Sequence, residues 1–222
     1  MEVIVLEALL TNTGRQVILH IQVNWVQFFI FQIKKIIFKS WFMKYIYHLL
    51  FTLILIVIHN VSVASISIYE LHAKNIDGRE VSLSDFKGQV LLVVNTASRC
   101  GFTPQYKSLE KIYNQYKERG FVVLAFPSND FRQELSNNKE IKDFCEVNEI
   151  SFPIFAKGKV KGFEKQEVFK YLTEDLNGRS RGEIRWNFEK FLVNREGKLF
   201  KRFRSSLDPN QKEITKAIES LL

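Results

Sequence analysis

Leu91-Leu92-Val93-Val94 is apolar without alternation, so a strand built from it must be covered on both faces. Phe121 to Phe126 repeats that character. Between the two runs, Tyr106 to Arg119 places Leu109, Ile112, Tyr113 and Tyr116 on one helical face, and Gly120 closes the helix. Two buried strands joined by one amphipathic helix make a parallel crossover unit, because antiparallel neighbours need only a tight turn. A chain with this unit at its centre is restricted to α/β layers.

The flanking segments complete the layout. Ile66 to Leu71 alternates and predicts a strand; Asp77-Gly78 is a hairpin turn, and Val81-Ser82-Leu83 returns. Asn138 to Asn148 predicts a helix with Ile141, Phe144 and Cys145 inward. Ser151 to Phe155 is strand-like around Pro153, a candidate cis proline. Glu164 to Glu174 predicts a helix. Phe188–Val193 and Lys198–Phe203 flank an Asn194-Arg195-Glu196-Gly197 turn, and Asp208 is the expected cap of a last helix. The order predicts a thioredoxin-like α/β fold: a central mixed sheet flanked by helices, with an N-terminal β-hairpin.

Cys100 follows the first buried run after a short polar turn, and Thr103-Pro104 just beyond it reads as a helix start. A helix N-terminus carries partial positive charge and unpaired N–H groups, which favour the thiolate, the form that attacks. The competing reading is a small buried hydrophobe. Cys145 is the second of two cysteines.

Residues 1–64 differ from the rest. They hold five basic and two acidic residues of a chain with net charge +8, which leaves +5 for residues 65–222. Met43-Lys44 is a basic start, Leu49 to Ile58 an apolar core, and Ser62-Val63-Ala64 a small-residue cleavage site, so residues 43–64 read as a signal peptide cut after Ala64. The alternative is an uncleaved anchor over residues 45–58, a run short of the roughly 20 residues a span wants. Residues 1–42 show no legible period; translation starting at Met43 would leave them outside the protein. Residues 65–222 form the domain, exported to a periplasmic or other extracytoplasmic space.

Several function classes drop out. No basic cluster is interleaved with aromatics, so the positive charge reads as a solvated surface rather than a nucleic-acid site. The four histidines, His20, His48, His59 and His72, all lie at or before the start of the domain, and no CxxC or HxxxH spacing exists, which argues against zinc.

Three ordered segments carry a resemblance. Val93 to Tyr106, with Asn95-Thr96-Ala97-Ser98-Arg99-Cys100-Gly101-Phe102-Thr103-Pro104 at its heart, resembles the peroxidatic motif of glutathione peroxidases. Phe126-Pro127-Ser128-Asn129-Asp130-Phe131 resembles their second motif and Trp186-Asn187-Phe188-Glu189-Lys190-Phe191-Leu192-Val193 their third. The likeness runs from about residue 66 to the C-terminus and is closest to small, mostly monomeric, bacterial-like, two-cysteine forms. It implies a catalytic tetrad of Cys100, Gln133, Trp186 and Asn187. Amide and indole N–H groups are donors that do not titrate near neutral pH, so they suit a thiolate and a leaving oxygen. Taken alone, Trp186 reads as core packing and Gln133 as an exposed loop residue.

The second motif is one residue short. Arg132 alone separates Phe131 from Gln133 where the family has two residues, often Gly-Gly. Either the tight loop swings Gln133 away from Cys100, or Arg132 brings a positive charge to the thiolate.

The resemblance further implies a mechanism. Cys100 attacks a peroxide oxygen and becomes a sulfenic acid. Cys145 resolves it as a disulfide, a step that needs its helix to unwind, because disulfide Cα atoms lie within about 7 Å. A thioredoxin-type protein or glutathione then reduces the bond, with no bound cofactor; Lys201 and Arg202 correspond to a basic pair of the family, the implied substrate-binding residues. Hydrogen peroxide and organic or lipid hydroperoxides are the implied substrates. A thiol–disulfide oxidoreductase would want CxxC, and Thr103 occupies that position; an anchored peroxide-sensing relay is the other alternative.

Overall fold

The computed structural model describes residues 14–59, 67–174 and 181–222. The chain divides into two units, Met1–Ala64 and Ser65–Leu222.

In the first unit, helix α1 spans Gly14–His59. It runs through Met43, so part of the stretch in which no period was legible is helical. Lys34, Lys35, Lys39 and Lys44 interrupt its apolar character, and no helix among the described residues is long and apolar enough to cross a membrane. The expected cleavage site, Ser62-Val63-Ala64, lies outside the described residues.

The second unit begins with a turn. Ile68–Glu70 is a 3-10 turn, not a strand. Ser67 Oγ accepts Tyr69 N–H at 3.4 Å and Glu70 Oε1 accepts Ser67 N–H at 3.2 Å, a reciprocal capping box that overrides the alternation. The strand follows as β1, His72–Lys74, pairing antiparallel with β2, Glu80–Ser82, across the expected turn.

The main sheet has the order β4-β3-β5-β6, formed by β3 (Val90–Thr96), β4 (Phe121–Pro127), β5 (Lys190–Val193) and β6 (Leu199–Phe203). β3 and β4 are parallel, as their continuous burial requires, and helix α2, Gln105–Tyr116, makes the crossover. Gly120 ends that connection at φ +84°, a left-handed position open to glycine. β3–β5 and β5–β6 are antiparallel. Isolated bridges tie Ile154 to Ala125 and Phe155 to Asn75, and no peptide among the described residues is cis, so Pro153 is trans.

The sheet separates two apolar layers because successive strand side chains point to opposite faces. Leu92 and Val94 pack with Leu109 and Ile112 of α2 and with Ile214 and Ile218 of α5, Lys212–Glu219. Leu91 and Val93 pack with Phe169 and Leu172 of α4, Glu167–Glu174. Asp208 does not cap α5. Its carboxylate accepts Asn210 N–H at 2.9 Å and Ser108 Oγ–H at 3.0 Å, a turn around Pro209, and Gln211 takes the cap position with no side-chain bond. Helix α3, Asn138–Val147, is capped by Asn137 and buries Ile141 and Cys145.

Candidate active site

The turn between β3 and α2 is built by side-chain and backbone bonds rather than by helix. Thr103 Oγ1 accepts Cys100 N–H at 2.9 Å and donates to Ala97 O at 2.9 Å, which folds residues 97–103 into a closed loop. Helix α2 itself starts at Gln105. The positive end of the turn still reaches the sulfur, because Phe102 N–H donates to Cys100 Sγ at 3.3 Å. Cys100 is 7% exposed, so the residue is recessed but not sealed.

The second loop reaches the same turn. Gln133 O accepts Arg99 N–H at 2.9 Å, and Glu134 Oε1 accepts Ser98 N–H at 3.1 Å. The missing residue is absorbed by Arg132, which takes φ +59° and leaves its side chain exposed. A glycine tolerates that conformation without cost, and here a bulky residue bears it. Asn129 Oδ1 accepts Glu134 N–H at 3.1 Å, and Asp130 Oδ2 accepts the N–H groups of Val160 and Lys161 at 2.7 and 3.1 Å. The shortened loop therefore holds the Gln133 backbone against Arg99, the residue before Cys100.

Asn187 meets it from the third segment, with Nδ2 donating to Gln133 Oε1 at 2.9 Å. This bond fixes the Gln133 amide with its oxygen toward Asn187. Gln133 Nε2 and Trp186 Nε1 make no hydrogen bond within the described residues and stand as uncommitted donors. Trp186 is 41% exposed, with its ring 5.2 Å from that of Phe131, so it is a surface residue and not core packing. Gln133 and Asn187 thus share one side-chain hydrogen bond, with Trp186 beside Asn187 in the chain, while the Cys100 sulfur is itself bonded by Phe102 N–H.

Cys145 is 2% exposed on α3, and both cysteines are free thiols. Burial, reinforced by Glu134, pushes its thiol up to about 12. The Tyr106 hydroxyl lies against it, fully buried and raised well above the usual tyrosine value by the same desolvation. Glu134 is also raised by burial, although Ser98 and Leu135 donate to it. Among the described residues, the buried side-chain atoms without a hydrogen-bond partner are Thr96 Oγ1, Ser98 Oγ, Gln105 Oε1, Tyr106 Oη, Glu134 Oε2 and Asn187 Oδ1. All lie in or next to the three motif segments, which bond one another at Asn95, Ser98, Arg99 and Gln133, and this marks that region as a polar, under-satisfied part of the interior.

Lys201 and Arg202 do not form a pair. They are adjacent on β6 and point to opposite faces. Arg202 is nearly fully buried: its Nε donates to Glu189 Oε2 at 2.7 Å, and its other nitrogens donate to Gly182 O and Glu183 O at 2.6 and 3.0 Å. Lys201 pairs with Glu213 of α5 at 2.9 Å. The guanidinium is committed to the fold.

Known proteins show the family. The glutathione peroxidase family profile matches residues 68–173. The glutathione peroxidase homolog BsaA of Halalkalibacterium halodurans is 51% identical over 158 residues, 70% of this chain and 99% of that protein. The hydroperoxy fatty acid reductase gpx1 of Synechocystis sp. is 47% identical over 167 residues, 72% of this chain and 98% of that protein. Among solved structures, Trgpx in apo form is 35% identical with a TM-score of 0.57, covering 71% of this chain and 96% of that one. A thiol:disulfide interchange protein from Chlorobium tepidum, 14% identical with a TM-score of 0.51, shares the fold alone. The chain belongs to the glutathione peroxidase family. It is a thiol-dependent peroxidase on a thioredoxin-like fold.

Proposed function

We propose that Cys100 is the peroxidatic residue, that Gln133, Trp186 and Asn187 serve it, and that Cys145 resolves the oxidised form. The observation that carries this is Phe102 N–H on Cys100 Sγ at 3.3 Å, in a turn that Gln133 O joins at Arg99 N–H and with the Gln133 side chain bonded by Asn187. The Cys100 thiolate attacks the distal peroxide oxygen, the O–O bond breaks, and the departing oxygen takes a proton to leave as water or alcohol. The sulfur, oxidised by two electrons, is then a sulfenic acid. Cys145 attacks that sulfur, a disulfide forms, and the hydroxyl leaves as water with the Cys145 proton.

Hydrogen peroxide and organic or lipid hydroperoxides are the proposed substrates. The surface position of Trp186 beside Phe131 favours a bulky apolar hydroperoxide. A thioredoxin-like protein is the proposed reductant, by exchange with the disulfide. Glutathione has less support, because the basic pair that favoured it is split across the sheet and Arg202 is held by Glu189. The domain works as a monomer exported by the 43–64 segment, a reading supported by the basic start, apolar core and small-residue end of that stretch.

The test is steady-state turnover of hydrogen peroxide and a fatty-acid hydroperoxide with a thioredoxin system and, separately, with glutathione. Turnover on thioredoxin that is lost in Cys145→Ser supports the proposal. Equal turnover on glutathione in both proteins contradicts the two-cysteine cycle. N-terminal sequencing of the exported protein checks the signal, with Ser65 expected first.

A further inference from the structure

The turn that carries Trp186 and Asn187 has no regular structure to hold it. The β3–β5 ladder stops at Val94 and Lys190. Phe188 then takes φ +62°, a region non-glycine side chains avoid, and this twists the backbone out of register with the sheet. The carbonyl of Trp186 and the N–H of Glu189 consequently face β3 without a ladder partner, the second of them on a fully buried residue.

Asn95 supplies both partners. Its Oδ1 accepts Glu189 N–H at 3.0 Å, and its Nδ2 donates to Trp186 O at 3.1 Å. Its own carbonyl accepts Phe188 N–H at 2.6 Å. The residue is fully buried at the end of β3, five positions before Cys100. The side-chain amide stands in for a missing peptide unit, with one acceptor and one donor. Aspartate lacks the donor, glutamine is a methylene longer, and a single hydroxyl cannot reach both groups. A second post stands on the other side: Glu189 Oε1 accepts Arg185 N–H at 2.7 Å, and Arg202 and Arg204 hold that carboxylate. The backbone of residues 185–189 is thereby pinned, and the Asn187 side chain is left to reach Gln133.

We infer that Asn95 is a positioning residue of the peroxidase site, acting through Trp186 and Asn187 to set how fast Cys100 is oxidised. The inference rests on the proposed role of those two residues. It makes Asn95 a kinetic determinant whose influence disappears once the groups it positions are gone, which a residue serving only the fold does not do.

The experiment uses the full chain with Trp25→Phe and Trp41→Phe in every protein, so that Trp186 is the sole indole. Single-turnover oxidation by hydrogen peroxide is quenched and read as Cys100 sulfenic acid or disulfide by mass spectrometry. The proteins are the parent, Asn95→Ala, Asn187→Ala, Trp186→Phe, Asn187→Ala/Trp186→Phe, and that pair with Asn95→Ala added. Asn95→Ala is expected to slow oxidation by about tenfold or more, with Trp186 emission shifted to the red and more readily quenched by acrylamide. On the Asn187→Ala/Trp186→Phe background the same change is expected to cost less than about twofold, while the fall in melting temperature is the same on both backgrounds. An equal factor on both backgrounds, or an unchanged rate in Asn95→Ala, overturns the inference. Unchanged rates in Asn187→Ala and Trp186→Phe overturn the role of the turn itself, and are seen without reference to Asn95. Should Asn95→Ala fail to fold, Asn95→Asp keeps the acceptor for Glu189 and loses the donor to Trp186. It is expected to slow oxidation, and a parental rate contradicts the inference.

Discussion

Asn187 Nδ2 donates to Gln133 Oε1 at 2.9 Å, and this bond decides which end of the Gln133 amide remains free for chemistry. An amide that accepts at its oxygen from a buried neighbour presents its NH₂ elsewhere. Gln133→Ala removes the free donor and leaves the Asn187 NH₂ buried without a partner. Cys100 oxidation is expected to slow by about 10²–10³-fold, with about 1–3 kcal/mol of stability lost. Gln133→Glu keeps the acceptor and loses the donor, so stability stays near that of the parent while oxidation remains slow. Stopped-flow oxidation and chemical denaturation of both variants check the pair of outcomes.

Cys145 is buried on α3 with its thiol pushed up to about 12, so it is a neutral, shielded thiol in the reduced protein. Short alkylation at neutral pH is expected to label Cys100 and spare Cys145. After one equivalent of peroxide in Cys145→Ser, a sulfenic-acid trap is expected to mark Cys100. The raised thiol also predicts an alkaline effect. The folded state binds the proton more tightly than the unfolded chain, so stability is full below pH 9 and falls as pH rises toward 12. That loss is smaller in Cys145→Ala, as denaturant titrations at pH 8 and 10.5 can measure.

Lys190 is fully buried, donating to Leu207 O at 2.7 Å and Ser205 O at 3.2 Å. Desolvation lowers its ammonium from 10.5 to about 7, against the pull of Asp208 and Glu189. The folded state therefore binds this proton less tightly than the unfolded chain. Its contribution is full above pH 10.5, declines as pH falls toward 7, and is flat below. Lys190→Met loses the two bonds to the segment leading into α5. Relative to Lys190→Met, the parent is expected to lose stability as pH drops from 10 to 7, measured by urea unfolding at each pH.

Arg132 occupies φ +59° in the shortened loop with its side chain exposed. Left-handed backbone costs a non-glycine residue about 1–2 kcal/mol, part of which glycine returns as unfolded-chain entropy. Arg132→Gly is expected to raise stability by up to about 1 kcal/mol and to leave Gln133 in place, with peroxide oxidation within about twofold of the parent. Thermal melting and the oxidation rate together check it.

Much of this site is legible along the chain because its parts are local. The apolar runs at Leu91 and Phe121 and the amphipathic segment between them are enough for a parallel crossover, and the turn after the first run singles out Cys100. The polar turn around Ser67 carries its own S-x-x-E capping signature, Ser67-Ile68-Tyr69-Glu70, which outranks the alternation that suggests a strand. The split of Lys201 and Arg202 follows from strand period as well, once both sit on β6. Asn95, Glu189 and Glu134 are different. Asn95 bonds residues more than 90 positions away, and Glu134 bonds Ser98 across 36. No local period or composition announces a polar side chain whose partners are brought in by tertiary packing.

The claim that joins these observations is that oxidising equivalents enter at Cys100 and pass to Cys145. Mass spectrometry of the protein after one equivalent of hydrogen peroxide, with a sulfenic-acid trap present, tests it most directly. The account predicts a Cys100–Cys145 disulfide in the parent, trapped sulfenic acid on Cys100 in Cys145→Ser, and unoxidised thiol in Cys100→Ser. Oxidation of Cys145 in Cys100→Ser at the parental rate would contradict it.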